Sequence, residues 1–95
     1  TFYTYLRPEA TQKAEEGCTY SFDTYANWLP DKKGIEVKPG EDGALTWQTD
    51  FTWTSANVHP FNAKNNVGIM TMVRWKECGG KKEKVDTVCN MTVVK

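Results

Sequence analysis

From Leu45 to Trp53 the chain alternates without a break: Leu45, Trp47, Thr49, Phe51 and Trp53 share one parity, and Thr46, Gln48, Asp50, Thr52 and Thr54 the other. In an extended backbone successive side chains point to opposite faces of the pleat, so this pattern specifies a long, half-buried β-strand with one aromatic face. Such a face either fills a β-sandwich core or forms a flat binding platform. We expect the core, because no other strand carries as much apolar bulk to set against Tyr20, Phe22 and Val73.

The remaining segments read as further strands joined by turn chemistry. Phe2 to Leu6 is aromatic and β-prone, and Pro8 ends it. Cys18, Tyr20, Phe22, Ala26 and Trp28 share a side, with Thr19, Ser21, Asp23 and Asn27 opposite and Tyr25 interrupting that polar face. Pro30–Gly34 and Pro39–Gly43 are turns by composition and bracket the short β-branched segment Ile35 to Lys38. Asn57 to Asn66 is polar, contains Pro60 and reads as a loop. Val67 to Trp75 alternates again, but Met70 and Met72 make its second face too apolar for open solvent, which predicts an interior strand. Val85 to Val94 has β-branched residues on both faces and suits a central or well-covered strand. Only Glu9 to Glu16 has helical signals, with Pro8 near its start and Gly17 just past its end, so at most one short helix is expected near residues 9–16.

This is the pattern of an all-β fold, an antiparallel β-sandwich or small barrel of six to seven strands in a single domain, residues 1–95. An immunoglobulin-like arrangement is suggested by the order Cys18, Trp28, Cys89. However, Thr87 stands where the corner tyrosine belongs, and only six residues follow Cys89. The pattern therefore points to a sandwich without the full immunoglobulin signature.

The 95 residues carry 12 basic and 12 acidic side chains. That balance removes the electrostatic basis for nucleic-acid binding, which rests on a basic surface that releases counterions. Lys81, Lys82 and Lys84 read as a solvated turn. No apolar run approaches the ~20 residues that a membrane-spanning helix needs. The chain starts at Thr1, as a processed mature protein or an excised domain would.

Three cysteines, Cys18, Cys78 and Cys89, bear on the compartment. Cys78 and Cys89 flank the polar, glycine-containing turn Gly79–Lys84, so a hairpin would join them at little loop-closure cost, and this pairing is favoured. Pairing of Cys18 with Cys89 across the core, or three reduced thiols, stay open. A disulfide implies an oxidising compartment, hence an extracellular or cell-surface protein, where Asn90-Met91-Thr92 would be a glycan acceptor. Three scattered cysteines and the lone His59 lack zinc-ligand spacing, and no metal or cofactor is expected.

Catalytic signals are thin. His59 precedes Pro60 in a polar stretch and reads as a solvent-facing histidine before a general base, and the pairs Glu15-Glu16 and Glu41-Asp42 read as solvated charge. An enzyme is the minority expectation, its form a small hydrolase built on His59. Binding has better support. Tyr3 and Tyr5 oppose Phe2, Thr4 and Leu6 in parity, Tyr25 lies on a polar face, Trp28 ends its strand beside Pro30, and Phe61 lies in the long loop. Exposed tyrosine and tryptophan are the residues most enriched at recognition surfaces. The expectation is a binding module for a protein or glycan through Tyr25, Trp28, Phe61, Tyr3 and Tyr5. Its rival is a toxin or effector that meets a membrane through a rim of Tyr25, Trp28 and Phe61, a contact not favoured.

Overall fold

A computed structural model describes residues 2–8, 13–54, 57, 59–60 and 66–94. The chain is all-β, with every strand pairing antiparallel in one of two sheets. The small sheet pairs β1 (Phe2–Leu6) with β5 (Thr49–Trp53), in a register that runs from Phe2 opposite Trp53 to Leu6 opposite Thr49. The large sheet is built on β2 (Cys18–Ala26) and β7 (Asn66–Cys78), paired from Cys18 opposite Cys78 to Ala26 opposite Met70. Two short strands, β3 (Leu29–Pro30) and β4 (Ile35–Val37), share the other edge of β2. The two-residue β6 (His59–Pro60) pairs with Val67 and Asn66 of β7, and β8 (Lys81–Val94) runs the whole length of β7.

The sandwich-like arrangement follows from burial. From Leu45 to Trp53 burial alternates residue by residue, and Leu45, Trp47, Phe51 and Trp53 are each at most 2% exposed. They pack with Leu6, Tyr20, Phe22, Ala26, Val37, Met70 and Met72 in one core cluster, as the alternation predicts for the core reading. Phe51 stacks on Trp53 at 5.9 Å, and Trp47 meets the edge of Tyr20 at 6.2 Å. Polar links join the layers: Trp53 Nε1 donates to Thr4 Oγ1 at 2.7 Å, and the Thr4 hydroxyl donates to Met70 Sδ at 3.3 Å. The Arg74 guanidinium lies 5.3 Å from the centre of the Trp47 ring and donates to Asp86.

Several sequence expectations are corrected. Leu45 to Gln48 is extended and alternately buried but belongs to no ladder, so the strand proper starts at Thr49. No helix forms among the described residues of the 9–16 segment. Lys13 bridges Ala44 and the Ala14 amide donates to Gly43 O, because an extended chain there pairs with the 40–44 turn while a short polar helix has little to bury. Residues 9–12 lie outside the described ones. His59 and Pro60 form β6 where a loop was expected. In β7 it is the Met70 and Met72 face that is buried, while Ile69, Val73 and Trp75 are half-exposed on the outer face. β8 is an edge strand. Of its described side chains all are exposed except Val88 and Thr92, which are half-buried.

The cysteine pairing is also corrected. The disulfide joins Cys18 to Cys78, and Cys89 is free and exposed. Cys78 and Cys89 cannot meet because the hairpin reverses within Gly79-Gly80, whose φ angles of 59° and 82° are those of a two-residue primed turn. The register then sets Lys81 opposite Cys78 and carries Cys89 up the strand to face Thr71.

Candidate functional site

β1 alternates as β5 does, and pairing the two strands aligns their solvent faces. Tyr3 stands opposite Thr52 and Tyr5 opposite Asp50, and Tyr3 and Tyr5 are 70% and 67% exposed. Residues two apart on one strand face lie about 7 Å from each other, so the two phenols form a short aromatic row. Beside that row a shallow cleft of about 410 Å³ is lined by Tyr5, Gln48, Thr49 and Asp50. Lys32 reaches over from the segment between β3 and β4 to two of the lining residues. Lys32 Nζ donates to Asp50 O at 2.6 Å and to Thr49 Oγ1 at 3.1 Å, and lies 3.4 Å from Asp50 Oδ1. The Asp50 carboxyl is held below its ordinary range, first by a hydrogen bond from its own backbone and then by the Lys32 ammonium, so it stays a charged acceptor. An aromatic ring, a primary amide, a hydroxyl and a carboxylate thus line one concavity, and the Lys32 ammonium pairs with that carboxylate.

Trp28 occupies a different place. Asn27 and Trp28 are the central residues of the turn between β2 and β3, with φ angles of 49° and 66°. The second position of such a turn is where glycine is favoured, and a left-handed backbone costs roughly 1–2 kcal/mol for a residue with a Cβ. Asn27 holds the turn in place. Its amide nitrogen donates to Asn57 O at 2.6 Å and Val67 O at 2.9 Å, and its Oδ1 accepts from Ile69 N at 2.8 Å. Trp28 gains little packing in return, being 66% exposed beside Leu29 at 49%.

Of the other sequence-derived candidates, Tyr25 is half-buried, with Lys33 Nζ 4.3 Å from its ring centre and hydrogen-bonded to its hydroxyl. That hydroxyl also raises the Lys33 pKa. Phe61 lies outside the described residues. The structure brings Tyr3 and Tyr5 together on one face, and among the described residues no ring contact joins them to Tyr25 or Trp28. Sequence reasoning missed Gln48, Asp50 and Lys32. The first two lie on the polar parity of the Leu45–Trp53 alternation and read as solvated. Pairing of that parity with Tyr3 and Tyr5 is a long-range register without a local signal.

Glu15 and the two sulfurs of Cys18 and Cys78 lie within 4.8 Å of one another. The sulfurs are joined in the disulfide, which leaves no thiolate to ligate a metal. No helix among the described residues is long and apolar enough to cross a membrane. No protein-family model, curated protein or solved structure matches the chain.

Proposed function

We propose that this chain is a non-enzymatic binding module, secreted or displayed at the cell surface, which holds a glycan on the face of β1 and β5. The observation that carries this reading is the pair of outward tyrosines beside a cleft whose polar groups are Gln48, Thr49 and Asp50. Phenol rings offer an apolar face to the C–H side of a sugar ring, while a carboxylate and an amide accept and donate to its hydroxyls. A concavity with a few convergent polar groups is the usual form of a small-ligand site. Among the described residues Asp50 is the one carboxylate lining the cleft, which favours binding over glycoside hydrolysis, where two carboxyl groups flank the bond. The oxidised Cys18–Cys78 pair supports the extracellular assignment.

A glycan array followed by calorimetric titration tests the reading. Tyr3→Ala and Tyr5→Ala should each abolish or weaken binding at least tenfold while leaving the unfolding midpoint close to that of the parent, because both rings are mostly in water. Absence of any glycan ligand, or full retention of binding in the double variant, overturns it. A protein ligand is the second reading, favoured by Trp28, whose costly backbone geometry yields an exposed ring. Loss of a pulled-down partner on Trp28→Ala, with Tyr3→Ala silent, would select it.

A further inference from the structure

β8 is 14 residues long and pairs with β7 alone among the described residues, so its far edge presents unpaired backbone N–H and C=O groups. Natural edge strands are guarded by charge, proline or a bulge. Within β8 every guard is at one end, and at the other Lys95 follows directly on Val94 in the sequence. Lys81, Lys82, Glu83, Lys84 and Asp86 supply the charge, and the register irregularity sets Lys84 opposite Trp75 and Asp86 opposite Arg74. Beyond it, Thr87 to Val94 has no charge and no proline, and Thr87, Val88, Thr92, Val93 and Val94 are β-branched. Met91 and Val93 are 65% and 51% exposed on the same face as Cys89.

We propose that this chain forms a two-fold dimer in which β8 pairs antiparallel with β8 of a second copy. The regular run from Asp86 to Val94 has its midpoint at Asn90. In an antiparallel ladder outward-facing residues must meet outward-facing residues, so the two-fold axis passes beside a residue rather than between two. Full overlap centred on Asn90 sets Thr87 opposite Val93, Val88 opposite Thr92 and Cys89 opposite Met91 of the other copy.

Charge selects this partner and this direction. Antiparallel pairing sends the two lysine-rich ends roughly 50 Å apart, far beyond the ~10 Å screening length, whereas parallel pairing would stack Lys81, Lys82 and Lys84 on their own copies. A charged partner strand finds nothing to read between Thr87 and Val94, while a second copy supplies an uncharged edge of matched length. A contact confined to one strand is small beside the ~1,600 Å² of a standard interface, so dissociation in the micromolar range is expected. Because the pairing is isologous, each copy's β8 edge is covered by the other's and assembly through it closes at two.

The test uses unglycosylated protein, since Asn90 begins the sequon Asn90-Met91-Thr92, with the Cys18–Cys78 disulfide intact. Sedimentation equilibrium into the high micromolar range should show a monomer–dimer equilibrium. A short bismaleimide should join the Cys89 thiols of two copies, which lie diagonally on one sheet face about 7–8 Å apart. The double variant Met91→Lys, Val93→Lys should be monomeric, resist cross-linking and keep the parent circular dichroism spectrum, since both side chains point into solvent. A strictly monomeric parent overturns the proposal, as does a dimer that survives the lysine variant or fails to cross-link through Cys89.

Discussion

Gly68 is the position where one added methyl group tests the packing of the two sheets against each other. A Cβ built on Gly68 falls 2.7, 2.8 and 2.9 Å from Cζ2, Cε2 and Cη2 of Trp53, closer than carbon atoms approach. The ring cannot step aside freely. It is 1% exposed, stacks on Phe51 with planes 14° apart, and donates its Nε1–H to Thr4. Two opposed effects set the magnitude for Gly68→Ala. The φ of Gly68 lies outside the left-handed region, so alanine is allowed by the backbone and would add about 0.4–1 kcal/mol by narrowing the unfolded ensemble. Overpacking a filled core costs about 1–3 kcal/mol, so the clash wins and the net loss should be about 1–2 kcal/mol. With a urea slope of about 1–3 kcal/mol per molar, the unfolding midpoint should fall by roughly 0.5–1 M. The second arm is a double-mutant cycle with Trp53→Phe, which removes the far ring atoms that the methyl meets. The methyl should then be tolerated or should fill the space, giving a coupling of about 1 kcal/mol or more. A midpoint at or above that of the parent, or additivity within about 0.3–0.5 kcal/mol, would refute the placement of Trp53 against β7.

Phe51→Ala should cost about 3–5 kcal/mol, a large part of the stability of a domain this size, and chemical denaturation reads it directly. Trp28→Gly should raise stability by about 1 kcal/mol, since glycine relieves the left-handed backbone and little packing is lost; a fall in the thermal midpoint would contradict that. Mass mapping should join the peptides carrying Cys18 and Cys78 and find Cys89 alkylated without unfolding. Reduction should remove about 4 kcal/mol, as expected for a bridge spanning 60 residues. The Arg74 guanidinium holds the Asp86 carboxyl below its ordinary range. A carboxyl with a lowered folded pKa contributes stability above its unfolded pKa of about 3.9, and loses it as pH falls through the folded value. Asp86→Asn should therefore be less stable than the parent at pH 6, and the gap should close on titration towards pH 2.

Local periodicity was enough for the core strands. The alternation at Leu45–Trp53 predicts which side chains are buried, because a period of two allows only two faces and one of them carries two tryptophans and a phenylalanine. Tyr20, Phe22 and Ala26 follow by the same rule. Exposure of Tyr3 and Tyr5 was legible too, as the parity opposite Leu6. The glycine pair at 79–80 marked the hairpin turn, but the exact reversal that it imposes decides which residues oppose Cys78, and that placed Cys89 out of reach.

Only the tertiary structure settled what depends on neighbours. Which face of β7 is inner was ambiguous in sequence, because Ile69, Val73 and Trp75 rival Met70 and Met72 in apolar character. The choice is made by the core that Leu45, Trp47 and Trp53 share with Met70 and Met72, with Trp53 lying against Gly68. β8 has β-branched residues on both faces whether it lies at the centre or at the edge, and only strand order shows that nothing described covers it. The cleft beside Tyr5 arises because β1 and β5, more than forty residues apart, pair in one register, and Lys32 arrives from a third segment. Sequence fixes side-chain parity through local backbone geometry, whereas strand order, register and disulfide partner are long-range choices made by the packing of the whole chain.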